Sequence, residues 1–341
     1  MLKVRPWLGP APKIQTKIGV FKERSKLRKI IAGFTIAISA FALVGCSSSA
    51  NDAASMFETL KSSCGAFKSG SDVKKVTVSS ELSKAPTVSF MTPLDSSKPK
   101  IQTNVIVEGK GPKITGGQYV SWEYAVFSGV DKSEITSTKF DGTGTQLQMI
   151  PATGDLCTAL AGVREGSRVS LLVPSEIAGT SATGTMAAQV WIFDIKKVFL
   201  PHAVGDLQAP ANGMPIVNRA TDGKPAVSIP KTAAPTKFSS SVLIQGKGSA
   251  VKLGDKVVVH YSGYLWNGTT FDSSWESGNP ASFTVDNSHL IKGFVKTLVG
   301  QRVGSQVIGV IPPSLGYGAT ANGSIPANST LVFVVDILGI Q

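Results

Sequence analysis

Three cysteines, three histidines and only 16% charged residues are little for a chain of 341, and each scarcity removes a class of function. His202, His260 and His289 are far apart, with no Cys or carboxylate at ligand spacing, so no metal site is expected. No Gly-x-Ser-x-Gly nucleophile elbow, phosphate loop or dinucleotide fingerprint occurs, and no cofactor is expected. Helical periodicity is scarce too. It is confined to Leu290–Leu298, where Leu290, Ile291, Phe294, Val295 and Leu298 make one apolar face behind the cap candidates Asp286, Asn287 and Ser288.

What is present begins with a basic leader. Residues 1–29 hold nine Lys and Arg against Glu23 alone, and Ile30–Val44 follows as an uncharged run of fifteen residues. That run is too short for a membrane span and has the length of a signal-peptide core. It ends on Leu43-Val44-Gly45-Cys46, the pattern of a bacterial lipobox, in which cleavage precedes the Cys and its sulfur carries lipid. The alternative is a short transmembrane anchor with an incidental Cys. The leader, 1–45, is thus expected to be removed and Cys46 lipidated, placing an extracytoplasmic, membrane-anchored protein behind the polar tether 46–75. Val20 precedes Phe21-Lys22-Glu23-Arg24, so a later start codon would yield a leader of more ordinary length. The leader also accounts for +8 of the formal +12, leaving about +4 with no basic cluster interleaved with aromatics. Nucleic acid is not an expected partner.

Proline divides the remainder. Pro201, Pro210, Pro215, Pro225, Pro230 and Pro235 prevent a continuous helix or central strand over 201–236, which reads as an extended connection. Sequence on its two sides repeats. Val105–Gly111 matches Val242–Gly248, Leu160–Val169 matches Leu298–Val307, and Val190–Ile195 resembles Val332–Ile337. Two related domains, 76–200 and 237–341, are therefore expected. With Cys46 lipidated, Cys64 and Cys157 form an even pair in an oxidising compartment and are expected to bridge.

In the second domain, Lys256–Tyr261, Ser282–Val285, Ser305–Ile311 and Thr330–Leu338 are β-branched and aromatic runs separated by Gly, Asn and Pro turns, as strands are. The first run leads into Tyr261-Ser262-Gly263, ten residues after Tyr261 comes Phe271-Asp272-Ser273-Ser274, then Gly316-Tyr317-Gly318-Ala319, and near the end Thr330–Asp336. In this order the blocks resemble the FKBP-type peptidyl-prolyl cis–trans isomerases over about residues 237–341. The resemblance implies an α+β fold of two FKBP-like domains, each a curved antiparallel sheet packed on one short helix. It implies isomerisation of Xaa-Pro bonds, unfolded or proline-containing exported polypeptides as partners, and macrolides as inhibitors. By resemblance, Tyr261, Phe271, Leu290, Ile291, Phe294 and Phe333 line the pocket, with Phe294 at its floor. Asp272 and the Tyr317 hydroxyl are polar contacts, the Ile291 N–H binds a substrate carbonyl, and Ile325 closes one edge. Ala281 stands where the family often has a second Phe, and Ala321-Asn322-Gly323-Ser324 is a short polar loop. Both departures put peptide preference and macrolide affinity in question.

Each residue has a plainer reading. Tyr261, Phe283 and Phe333 could be core, Asp272 an Asx turn, and His260 an outward-facing strand residue. The first domain departs further. Tyr124 and Trp191 keep two aromatic positions, and Phe140-Asp141 is expected in place of Phe271-Asp272 if loop residues are inserted. Ile177-Ala178-Gly179 replaces Gly-Tyr-Gly, and Gly154-Asp155-Leu156-Cys157 replaces the pocket floor, so this domain is expected to be structural or peptide-binding. Two other functions fit less well. One is a non-catalytic chaperone with the same apolar groove. The other is a solute-binding lipoprotein, which would need two lobes of alternating strands and helices.

Overall fold

Alternation of apolar and polar residues at a period of two assigns each strand a face for a core and a face for a cover. The computed structural model describes residues 64–341 apart from residues 68, 95–98, 179, 182–183 and 186. The leader, Cys46 and the first part of the tether lie outside the described residues. The strands of the first half are β1 (Thr77–Val78), β2 (Val88–Ser89), β3 (Gln102–Val107), β4 (Gln118–Ser128), β5 (Glu134–Ser137), β6 (Gln146–Ile150) and β7 (Arg168–Val173). They continue with β8 (Thr180–Ser181), β9 (Gly184–Thr185) and β10 (Gln189–Val198). Beyond them come β11 (Asp206–Leu207), β12 (Ile216–Arg219), β13 (Pro225–Ser228), β14 (Ser239–Gln245) and β15 (Lys256–Leu265). The last four are β16 (Thr270–Ser273), β17 (Ala281–Thr284), β18 (Gln306–Ile311) and β19 (Leu331–Ile340).

Two antiparallel sheets dominate. One runs β3-β7-β10-β4-β5 with β6 also paired to β4, the other β11-β14-β18-β19-β15-β16 with β17 also paired to β15. Apart from the extra edge strand β11 the connectivity is the same. Register agrees as well: Phe193 lies opposite Tyr124 and Val169, as Val335 lies opposite Tyr261 and Val307. Bulges fall at matching places, between Val105 and Val107 and between Val242 and Ile244. Such bulges bend a sheet and add twist.

Helices are few: α1 (Asp155–Leu160), α2 (Ser175–Ala178), α3 (Ser274–Ser277) and α4 (Lys292–Leu298). The predicted helix Leu290–Leu298 thus starts two residues late. Its cap is Ile291, which offers no side-chain bond, while Asp286 instead accepts from the Ser288 and His289 backbone N–H groups and closes a turn. Helix α4 lies close on the sheet because Gly293 has no side chain. A Cβ there would run into the Ile311 side chain.

Phe294, Val295 and Leu298 of α4 meet Val257, Val259, Val307, Ile311, Leu331, Phe333, Val335 and Ile337 from one face of the second sheet. The opposite face presents Leu243, Tyr264, Ile308, Val310, Val332 and Val334, and here the proline-rich segment makes the cover. Met214, Val217, Val227 and Ile229, on and beside the β12–β13 hairpin, pack on that face. The segment expected to be an extended connection is therefore largely a packed layer. The first sheet is covered alike: Val73, Val76, Val78, Phe90 and Leu94, around β1 and β2, pack on Phe127, Leu172, Val190 and Ile192.

Between the sheets, β10 runs directly into a junction in which Phe199 and Leu200 pack on Val258 and Leu338. The Leu200 N–H donates to Leu338 O at 3.1 Å and the Phe199 N–H to Tyr119 O at 3.0 Å. In the first half, Cys64 and Cys157 are joined by a disulfide with Cα atoms 5.2 Å apart, tying the segment before β1 to α1.

Candidate active site

The concave face of the second sheet is not completely filled by α4. A cavity of about 620 Å³ opens there, and the nine residues named from the sequence all line it: Tyr261, Phe271, Asp272, Leu290, Ile291, Phe294, Tyr317, Ile325 and Phe333. Five separate stretches of chain deliver them. Strands β15, β16 and β19 carry Tyr261, Phe271-Asp272 and Phe333. The turn into α4 carries Leu290 and Ile291, α4 itself carries Phe294, and the loops between β18 and β19 carry Tyr317 and Ile325.

The walls are aromatic and packed edge to face. Phe294 lies 4.9 Å from Phe333 at 75°, Phe271 lies 5.4 Å from Phe333 at 81°, and Tyr261 lies 6.4 Å from Phe294 at 81°. These are the offset geometries that the ring quadrupole favours. Phe294 and Phe333 are buried, whereas Tyr261 and Phe271 are half-buried where they line the cavity. Gly263 makes room for this wall, since a Cβ there would lie 2.5 Å from Phe271 Cζ.

Polar groups are few and placed at the edge. The Tyr261 hydroxyl donates to Asp272 Oδ2. Burial, and then that carboxylate, push the Tyr261 pKa above its ordinary value, so the phenol keeps its proton as a fixed donor. Asp272 is therefore more than an Asx turn. Its neighbour Ser273 is the cap, its Oγ accepting from the Trp275 N–H at 3.3 Å. Among the described residues the Ile291 N–H has no acceptor. The far edge is a tight hairpin, in which Asn322 and Ile325 exchange backbone hydrogen bonds of 2.9 and 3.0 Å and seat Ile325 over the rim.

Phe283, weighed as core from the sequence, also lines the cavity, 5.9 Å from both Tyr261 and Phe294. Ala281, two residues before it on β17, does not. The period of two puts both on one face, so Phe283 supplies a ring where Ala281 lacks one. Ser288, His289 and Asn322–Ser324 complete the rim. The 322–324 loop was singled out from the sequence for its polarity, whereas Ser288 was read only as a cap candidate and His289 carried no pattern pointing to the rim.

His260 is a correction. It was expected to face outward, but it is buried, stacked on Trp275 at 4.0 Å, with Nδ1 2.9 Å from Ser274 Oγ. Burial, and then the neighbouring His202, push its pKa down to about 4. Adjacent strand residues face opposite sides, so the outward face was the side away from the cavity, which the proline-rich segment covers.

In the first half the pairing register corrects the Phe140-Asp141 assignment. Thr136 lies opposite Val126 as Asp272 lies opposite Gly263, so Ile135-Thr136 occupies the place of Phe271-Asp272 with one inserted residue rather than several. Phe140 is buried on the other face, against the cover. The concave face is filled by Trp122, Ile150, Cys157, Leu160, Phe193 and Ile195, with Tyr124 and Trp191 half-buried beside them.

A cavity with aromatic walls, one phenol–carboxylate pair and one unclaimed backbone N–H suits a short, extended, apolar stretch of polypeptide rather than a charged metabolite. That defines a peptide-binding protein of the helix-on-curved-sheet kind. Residues 247–338, which include every residue lining the cavity, match the family of FKBP-type peptidyl-prolyl cis-trans isomerases. FK506-binding protein 1A of Neurospora crassa is 42% identical over 99 residues, covering 28% of this chain and 82% of that protein. FK506-binding protein 2 of Dictyostelium discoideum is 46% identical over 91 residues, covering 26% of this chain and 68% of that one. The FKBP-type peptidyl-prolyl cis-trans isomerase FkpA of Escherichia coli strain K12 is 43% identical over 100 residues, covering 29% of this chain and 36% of that protein. The chain belongs to the FKBP-type peptidyl-prolyl cis-trans isomerase family, and it is an isomerase of that family.

Proposed function

We propose that this protein is a lipid-anchored, extracytoplasmic folding factor that isomerises Xaa-Pro bonds of exported polypeptides, with catalysis confined to the second sheet. The observation that carries the reading is the meeting of Tyr261, Phe271, Asp272, Leu290, Ile291, Phe294, Tyr317, Ile325 and Phe333 around one cavity. An Xaa-Pro bond faces a barrier of about 18–20 kcal/mol. Lowering it needs no nucleophile, because the twisted amide at the top of the barrier has lost its C–N resonance and is less polar than the planar form. Aromatic walls that exclude water favour the twisted amide over the planar one. The Ile291 N–H would hold a substrate carbonyl while Phe294 and Phe333 receive the proline ring. Asp272, fixed by the Tyr261 hydroxyl, sets the polar edge. Macrolides would enter the same cavity.

The first half is a diverged sister domain of the same kind, 76–200, without catalysis. Its equal connectivity, register and bulge placement support common descent with 237–341, and its filled concave face supports loss of the pocket. The cover 201–236 belongs with the second domain, whose outer face it buries. Cys46, following the leader 1–45, would carry the lipid.

The test follows cis-to-trans relaxation of a short Xaa-Pro peptide with the fragment 47–341. Acceleration is expected, and Phe271→Ala or Tyr317→Ala should reduce it strongly while the fold persists. A fragment that binds unfolded chains yet leaves the relaxation rate unchanged would turn the reading to a non-catalytic chaperone. Cys46→Ala in the full chain should leave the precursor unprocessed or free it from membranes. Continued fatty-acid labelling and sedimentation of that variant would refute the anchor.

A further inference from the structure

A second, polar cavity of about 180 Å³ lies between the outer face of the second sheet and the β12–β13 hairpin, lined among others by His202, Arg219, Thr221, Gln306 and Asp336. Its meaning comes from the first sheet. There Arg168 and Asp194 face each other across β7 and β10, as Gln306 and Asp336 do across β18 and β19. Arg168 is fully buried. Its Nε donates to Asp194 Oδ1 at 2.6 Å and its Nη2 to Asp194 Oδ2 at 2.8 Å. Nη1 and Nη2 also reach Ser79 O at 2.9 Å and Lys84 O at 2.8 Å, in the loop between β1 and β2. A guanidinium thus fills the space between sheet and hairpin.

In the second sheet the shorter, neutral Gln306 leaves that space open. Its Nε2 donates to Asp336 Oδ1 and the Ala203 N–H donates to Oδ2, both at 2.8 Å. Gln306 Oε1 is buried with no hydrogen-bond partner, and both side chains are about 1% exposed. A buried acceptor without a partner is destabilising, so the site is incomplete as it stands. Burial also pushes the Asp336 carboxyl up to about 6, which leaves it mostly ionised at neutral pH with neutral donors as its hydrogen-bond partners.

We propose that this cavity is a binding site for a guanidinium group, held by the Asp336 carboxylate and Gln306 Oε1 where Arg168 sits in the first sheet. The planar donor fork matches a carboxylate plus a flanking carbonyl better than a point-charge ammonium does. Two sources could supply it: the arginine of a bound polypeptide, or Arg219 of this chain, which is exposed on β12 at the cavity wall.

The experiment titrates methylguanidinium chloride into the fragment 47–341, which retains the whole compact unit Ser48–Gln341. The signals followed by NMR are the Ala203 backbone amide and the Gln306 side-chain amide, with tetramethylammonium, which has no N–H, as the control. Saturable shifts with methylguanidinium alone, lost in Asp336→Asn, would establish a site open to an external arginine. Binding that appears only in Arg219→Gln would assign Arg219 as the resident occupant and would overturn the external source. No saturable shift in either protein overturns the site altogether. Gln306→Arg gives an independent check. Filling the cavity from within should raise the thermal midpoint and abolish methylguanidinium binding, while peptide isomerisation stays unchanged in every variant. A lowered midpoint in Gln306→Arg together with unaltered methylguanidinium binding would contradict the equivalence with Arg168.

Discussion

Gly263 is where the aromatic wall is most sensitive to a single methyl group. It sits in β15 opposite Asp272 of β16 and Phe333 of β19, in extended backbone that alanine adopts freely. The added Cβ of Gly263→Ala would lie 2.5 Å from Phe271 Cζ, 2.6 Å from Phe271 Cε2 and 3.1 Å from Phe333 Cε1. Carbon atoms settle at about 3.5–4.0 Å, so the Phe271 ring must retreat by roughly 1 Å. Phe333 is buried and held, whereas the half-buried Phe271 can yield into the cavity. Overpacking costs about 1–3 kcal/mol, and replacing glycine returns about 0.4–1 kcal/mol through the unfolded chain. The net loss of stability should therefore be on the order of 1–2 kcal/mol. Activity should suffer more, because a wall misplaced by ~1 Å can cost about 10²-fold. Peptide relaxation and urea unfolding of the fragment 47–341 measure the two effects. In a Phe271→Ala background only the milder 3.1 Å approach to Phe333 remains, and Gly263→Ala should then cost much less stability. An equal cost in both backgrounds, or full activity of Gly263→Ala alone, would refute the reasoning.

Phe294→Ala removes a buried ring from between α4 and the sheet and should cost about 3–5 kcal/mol along with activity, seen as a lowered urea midpoint. Tyr317→Ala, at an exposed position, should lower activity with stability nearly unchanged. The disulfide spans 93 residues, for which chain entropy gives ~4–5 kcal/mol, so Cys157→Ser should destabilise the first half while peptide isomerisation persists. Two alkylatable thiols in the unreduced fragment 47–341, read by intact mass, would exclude the bond. With a folded pKa of about 4, His260 refuses a proton that the unfolded chain accepts as pH falls below about 6.5. Stability from this group is full above that value and is lost towards pH 4, by about 3 kcal/mol in all. Asp336, raised to about 6, contributes the opposite slope, with stability lost as pH rises through that value. The check is accordingly the difference between the native protein and His260→Gln, which should lose less stability on acidification.

Strand positions, the cavity residues and the Cys64–Cys157 pairing were legible in advance, because each leaves a pattern along the chain: β-branched runs at period two, aromatics at fixed places in recurring blocks, an even cysteine count. Of the short helices only α4 was legible, through its apolar face over Leu290–Leu298. At four to six residues, α1, α2 and α3 are far below the length at which a helix is stable alone, and they exist because the sheets hold them. The turn at Asp286 was misread as a helix cap for a related reason. The same Asx and Ser chemistry closes a turn or starts a helix, and packing at Gly293 against Ile311 selects between them.

Read along the chain alone, the residues already show that two β-rich stretches repeat each other in part and that only the second carries the full set of isomerase blocks. Tertiary structure alone decided what each half does with its faces. Phe140, in the loop after β5, and Phe283, on β17, are both phenylalanines, yet the fold sends one under an outer cover and the other into the cavity. The proline-rich segment became a cover because β18 and β19 expose a second apolar face that must be buried. Arg168 and Gln306 hold equivalent places opposite Asp194 and Asp336, and only the hairpin packed over each shows that the longer side chain is a plug while the shorter one leaves a cavity. The physical reason is common to all three: periodicity along a chain specifies which residues share a face, but what meets that face is set by elements distant in sequence.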